Sequence, residues 1–147
     1  METFDFLIFR QMIHHLYLRS MEPVQKTYGL TQMEEDILLF LANNPGHDTA
    51  AELVSLRALA KSQVSTSVER LVCKGYLARK PEGRKIHLQL LPASEGAVAM
   101  GRECQLRFAQ TLTEGLCPEE QKQMCKLLGH LAENARRACR EAEGEKK

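Results

Sequence analysis

The chain has 147 residues, 20 Lys and Arg against 19 Asp and Glu, and 44% hydrophobic residues, the size of one domain or of a small domain with dimerising extensions. No run of about 18 uncharged apolar residues could cross a bilayer, and Asp5 and Arg10 interrupt the apolar N-terminus without a small-residue cleavage site. Five cysteines, an odd number with no CxxC spacing, argue against a disulfide framework and for a cytoplasmic protein.

From about Phe4 to Thr27 the pattern is helical. Phe6, Phe9, Ile13, Leu16 and Tyr17 form one stripe, and Phe4, Leu7, Ile8 and Met12 make the segment apolar over most of its girth. A helix so apolar must be covered on more than one side. The cover expected in so small a chain is a second copy, which predicts a homodimer. Pro23 is a candidate kink.

Thr31 and Glu34 form a capping box: the hydroxyl accepts from the amide three residues on while the carboxylate reaches back. The helix they start runs to about Ala42, with Met33, Ile37, Leu38 and Leu41 inward, and Asn43, Asn44, Pro45 and Gly46 end it. Thr49 and Glu52 form a second box, opening a short helix to about Leu56. A turn from Arg57 to Ala60 then delivers a helix from Lys61 to Lys74, with Gly75 suited to a left-handed C′ position.

That third helix organises the rest. Val64, Val68, Leu71 and Val72 fall at i, i+4, i+7 and i+8 and make its inner stripe. Ser62, Gln63, Ser65, Thr66 and Arg70 face out, with Lys61 at the start. A solvated face is usually crowded with Glu and Lys. Short hydroxyls and an amide can instead approach base edges and phosphates without anionic repulsion.

A strand is expected from Tyr76 to Lys80, a break at Pro81, Glu82 and Gly83, and a second strand from Arg84 to Leu91. In the latter Ile86, Leu88 and Leu90 alternate with His87 and Gln89. Helix-turn-helix followed by a hairpin is a winged helix, and Arg84 and Lys85 at the wing tip are placed to meet a DNA backbone or minor groove. From Arg57 to His87 eight bases stand against two acids, +6 in a chain whose total is +1. A polyanion would therefore be drawn to this segment and mildly repelled by the remainder.

Helical periodicity returns from about Ala93 to Thr113, with Val98, Leu106 and Leu112 among the apolar positions. Cys117 and Pro118 open a last helix whose apolar face is Met124, Leu127, Leu128 and Leu131, assigned to the dimer interface. Arg136, Arg137 and Arg140 are expected near its C-terminus, where cations suit the helix dipole, and the charged tail from Glu141 to Lys147 is expected to fray. The fold class is mainly α with a small β-hairpin wing. A winged helix-turn-helix region at 30–91 sits between dimerisation helices at 1–28 and 93–142, all in a single domain.

Enzyme readings find little to stand on, with no Gly-rich phosphate loop and no GxSxG. Nor is a metal or other cofactor expected: His14 and His15 diverge by about 100° on a helix, His130 with Glu133 is an i, i+3 pair of the kind usually solvated, and His47 and His87 lie on a loop and the wing. The cysteines read as small buried or half-buried hydrophobes, with a redox role for Cys73 or Cys104 left open.

Several runs resemble the multiple-antibiotic-resistance regulator (MarR) family of bacterial repressors: Leu30-Thr31, Glu52-Leu53, Lys61-Ser-x-Val-Ser65, Leu71-x-x-x-Gly-Tyr-Leu77 and Gly115-Leu-x-Pro-Glu-Glu-Gln121. The resemblance covers nearly the whole chain and is most specific over Lys61 to Leu77. It implies a homodimer on double-stranded DNA, with the terminal helices at the interface and paired recognition helices in successive major grooves of a pseudo-palindrome. Ser62, Gln63, Ser65 and Thr66 match the family's base-reading and phosphate-contacting positions, and Arg84 matches its wing arginine. The wing is a few residues shorter than usual, with Glu82 where an Asp commonly stands, and Pro92 and Ala93 replace the Thr that normally caps the next helix. The resemblance also implies a small-molecule effector in a cleft near Ile13, Tyr17 and Tyr28, residues that serve equally well as core. The rival reading is a winged helix used as a protein-interaction module, which would be expected to lose the basic, hydroxyl-rich face and the basic wing retained here.

Overall fold

The computed structural model describes residues 5–144; the expectations for Phe4 and for the last three tail residues lie outside them. In chain order the elements are α1 (Phe6–Tyr28), α2 (Gln32–Asn43), α3 (Ala50–Arg57), α4 (Lys61–Cys73), β1 (Leu77–Glu82), β2 (Lys85–Leu90), a 3-10 turn (Pro92–Ser94), α5 (Glu95–Leu112) and α6 (Pro118–Gly144). The chain divides into two compact units, Met1–Ala109 and Gln110–Lys147.

Local chemistry sets the helix starts. Asp5, read in the sequence as an interruption of the apolar N-terminus, is the N-cap of α1: its Oδ1 accepts from the amides of Leu7 and Ile8, each at 3.0 Å. Both expected capping boxes form, Thr31 with Glu34 and Thr49 with Glu52, and caps of this kind are worth about 1 kcal/mol each. Their placement leaves α2 with Ile37 and Leu38 wholly inward and α3 with Leu53 wholly inward. These join Met21, Val24, Val64, Val68, Leu71, Leu77 and Leu88 in one core within the first unit, where truncating a residue such as Leu71 to Ala costs about 2–5 kcal/mol.

The turn between α3 and α4 closes through Ala58, held in the left-handed region at φ 50°, with the Leu59 amide donating to the Val54 carbonyl at 3.2 Å. A left-handed alanine costs roughly 1 kcal/mol, and nothing in Arg57–Ala60 signals it, since no glycine is there. At the other end of α4 the expectation for Gly75 holds. Its φ is +75°, its amide donates to Val72 and that of Tyr76 to Leu71, the paired bonds of a Schellman ending.

The wing differs from the expected one. β1 runs through Pro81 and Glu82, with Glu82 paired to Lys85, so the break expected at Pro81 is strand and the loop is Gly83 and Arg84. Proline survives because β1 is an edge strand whose outward amide needs no partner. Glycine at the first loop position, at φ +61°, matches the type II′ preference of two-residue hairpins. β2 also pairs beyond the hairpin, through a bridge of His87 to Thr49 and a bond from the Leu88 amide to the Asp48 carbonyl at 2.7 Å. Leu88 is buried and Leu90 half-buried as the alternation predicts, but Ile86 is half-exposed because it lies on the part of the wing that projects past the core.

Pro23, the candidate kink, lies inside α1, which runs on to Tyr28. Other expectations need correction. α5 begins at Glu95 after the 3-10 turn, in which the buried Ser94 hydroxyl donates to the Leu91 carbonyl. In α5 Val98 is buried, but Leu106 and Leu112 are exposed. α6 does not stop at Glu141 but runs to Gly144, so Arg136, Arg137 and Arg140 are not in its last turn and the dipole argument for them fails. Cys104 is buried, but Cys73, Cys117, Cys125 and Cys139 are exposed rather than buried or half-buried, and none is disulfide-bonded. Cys117 before α6 is served by Glu120, whose carboxylate accepts from its amide at 2.8 Å.

Candidate nucleic-acid interface

α4 is two-faced in the way its sequence demands. Val64, Ser67, Val68 and Leu71 are buried, while Lys61, Ser62, Gln63, Ser65, Thr66 and Arg70 are exposed. The inner contacts against α2, α3 and β1 hold the outer face in place, so the hydroxyls and the amide are presented on a fixed rod rather than a loop. The Thr66 hydroxyl donates to the Ser62 carbonyl at 3.0 Å. Its proton is thereby used within the helix, leaving its lone pairs and methyl group outward, able to accept from a base or to touch a thymine methyl. Ala60 at the N-cap provides no side-chain acceptor, and uncapped first-turn amides at a helix N-terminus favour an anion.

The ion pairs sort the bases that the sequence merely counts. Arg57 faces Asp36 at 3.6 Å, Lys74 faces Glu34 at 3.1 Å and Arg79 faces Glu69 at 2.7 Å. Among the described residues, Lys61, Arg70, Lys80, Arg84 and Lys85 make no ion pair, and all five are exposed. Four of them are the cations expected at the site; Lys80, on β1, joins by the same criterion, and its signal in the sequence was a charge on the wing's outer strand. Arg84 lies in the wing loop and Lys85 opens β2. His87 is held through Nδ1 to Asp48 and lies 3.5 Å from Glu82, tying the wing to the loop before α3.

Behind α4 lies an acidic patch on α2. Burial works most strongly against ionising Glu34, but bonds from Thr31 and Lys74 outweigh it and hold the carboxyl below its usual range. Glu35 lacks such help. Burial, opposed by one 2.7 Å bond from Gln25 and reinforced by neighbouring Asp36, pushes it up to about 7, and its Oε1 has no partner. Burial also raises Asp36, against the pull of Arg57 and His14. At the start of α3, contact with His47 and then the bonds from Thr49 hold Glu52 down to about 2.

Two cavities flank the helix. An open polar cleft of about 770 Å³ is lined by His14, Asp36 and Arg57 together with Ser62, Gln63 and Thr66. A more apolar one of about 440 Å³ lies between α3, α4 and the wing, lined by Val54, Val64, Val68, Ile86 and Leu88. Ile13, Tyr17 and Tyr28, the expected effector residues, line neither. Tyr17 packs edge-on against Phe108 at 5.2 Å and its hydroxyl accepts from Gln105 at 3.0 Å; Tyr28 packs on the core, and Ile13 is half-buried. No group of three metal-ligating side chains converges, and no helix is long and apolar enough to cross a membrane, among the described residues.

Comparison with known proteins adds three observations. Residues 28–85, which include α2 to α4 and most of the wing, match the sequence model of the MarR family. The fold is shared with many solved structures. A transcriptional regulator from Thermotoga maritima is 27% identical, with 89% of this chain and 93% of that one covered and a TM-score of 0.58. MepR from S. aureus, in complex with DNA, is 18% identical over 90% and 99% of the chains at a TM-score of 0.71. BpsR of Bordetella bronchiseptica, whose structure concerns regulation of DNA binding by 6-hydroxynicotinic acid, is 23% identical over 83% and 96% at a TM-score of 0.60. A search of curated proteins gives no match.

Proposed function

We propose, from the match of residues 28–85 to the MarR family, that the chain is a member of that family and a cytoplasmic, sequence-specific DNA-binding transcriptional regulator: a homodimeric repressor of a pseudo-palindromic operator. The observation that carries the reading is the outer face of α4. It combines Ser62, Gln63, Ser65 and Thr66 with the unpaired cations Lys61 and Arg70, and the wing continues it with Arg84 and Lys85. In this reading short polar groups meet base edges in the major groove, and the cations and first-turn amides meet phosphates.

The dimer rests on apolar surface that one chain leaves uncovered. Phe6, Leu7, Ile8 and Met12 on α1, and Leu127, Leu128 and Leu131 on α6, are each more than half exposed. A 27-residue helix with no buried residue is hard to account for unless something packs on it. Effector release is supported by the control of BpsR by 6-hydroxynicotinic acid. The effector region of the proposal is the vicinity of Ile13, Tyr17 and Tyr28; Ile13 precedes His14, which lines the polar cleft. An effector works there only by preferring a dimer whose recognition helices are wrongly spaced, since equal affinity for both spacings shifts nothing.

Selection of bound fragments from a random duplex pool tests the function directly. The expected result is a two-fold site with half-sites about one helical turn apart, bound with an affinity that falls steeply as salt rises. Weak, salt-insensitive retention on every sequence would sink the reading and favour a protein-interaction module.

A further inference from the structure

We propose that Lys74, a base in the cationic segment, contacts no phosphate but is a positioning residue that joins three helix ends and thereby sets the tilt of α4. This rests on the DNA-binding reading above.

The Lys74 ammonium donates to the Gly29 carbonyl at 2.9 Å and to both carboxylate oxygens of Glu34, at 3.2 and 3.1 Å. Each partner belongs to a different helix terminus. Gly29 is the C-cap residue of α1, Glu34 is the third residue of α2 and closes its capping box, and Lys74 is the C-cap residue of α4. The electrostatics agree at each end, since a cation is favoured at the C-terminus of α1 and an anion at the N-terminus of α2. Glu34 is fully buried while a third of the Lys74 side chain remains exposed. A buried carboxylate without its counter-ion is costly, so the pair is hard to open. The Schellman bonds of Gly75 and Tyr76 fix the backbone from which Lys74 reaches.

The consequence is leverage. α4 has 13 residues and is about 20 Å long; its readers are at the N-terminal end and its clamp at the C-terminal end. A tilt of about 10° about the clamp carries the first turn roughly 3 Å, enough to break hydrogen bonds to base edges. Because the clamp includes the end of α1, the proposed dimer helix, the orientation of α4 is referred to α1 and not only to the core beneath it.

The test compares Lys74→Met, Glu34→Gln and Arg84→Ala with the wild-type chain on a selected operator and on random duplex, as a function of salt. Lys74→Met and Glu34→Gln are expected to lower operator affinity about tenfold or more with no change in the salt slope, whereas Arg84→Ala should flatten that slope by about one. The Lys74→Met, Glu34→Gln double variant should cost little more than either change alone. A slope flattened by Lys74→Met makes the residue a phosphate contact and overturns the proposal; so does unchanged operator affinity in both single variants. If Lys74→Met fails to fold by circular dichroism, Glu34→Gln decides. Amide exchange, which needs no DNA, separates the two readings. In the clamp variants protection should fall together at Gly29–Thr31 and at Gly75–Tyr76 while the wing keeps its own, and unaltered exchange at both places refutes the clamp. A wild-type chain that binds no duplex refutes the DNA reading, and with it the role in recognition, leaving exchange to decide the clamp itself.

Discussion

Arg79 on β1 donates to Glu69 on α4 across 2.7 Å, so the lone acid of α4 is spent on a base of the wing. Both side chains are more than a third exposed, and a pair in that setting contributes little to folding. Its effect is on charge: it withholds one cation from a polyanion. Glu69→Ala is therefore expected to tighten binding to random duplex and to steepen the salt dependence by about one counterion per subunit. Titration of labelled duplex at several salt concentrations checks this, and an unchanged slope would mean that Arg79 does not face the backbone when released.

Gln63 and Thr66 should behave differently from the cations. Replacing either by Ala is expected to lower affinity for the selected operator by about 1–3 kcal/mol and to spare nonspecific binding, because base-edge contacts discriminate among sequences while phosphate contacts do not. Competition binding with operator and scrambled duplex measures the difference. Equal loss on both duplexes would remove these residues from base reading.

Phe9 is 43% and Leu128 51% exposed, and in the proposed dimer both are covered. Asp at either position would place a charge in an apolar interface, where burying an uncompensated carboxylate is costly. Sedimentation should then show the dimer dissociating at concentrations where the wild-type chain stays paired. A stable dimer with both changes present would place the interface elsewhere.

Glu35 predicts a pH dependence of stability. Its folded carboxyl titrates at about 7 against an ordinary 4.5, so the folded chain holds the proton more tightly than the unfolded one. The contribution is then fully present below about pH 4.5 and is lost as pH rises through about 7, an effect on the order of 3 kcal/mol. Glu35→Gln keeps an acceptor for Gln25 but cannot ionise. Urea midpoints should show the variant gaining on the wild-type chain between about pH 5 and pH 8; a constant difference across that range would mean that the carboxyl does not change charge there.

The sequence by itself determined the elements and the face that α4 turns outward. Capping boxes, the glycine after α4 and apolar spacing are local signals, and the local backbone obeys them: Thr31, Thr49 and Gly75 did what their chemistry predicts. What distance along the chain conceals, tertiary structure decided. Which bases stay available depends on acids 10 to 40 residues away, and Glu34 took Lys74 and Glu69 took Arg79 only because packing brought them within reach. The burial that lifts Glu35 has the same origin. It is set by neighbours distant in sequence, whose combined energies override the preference of the residue taken alone.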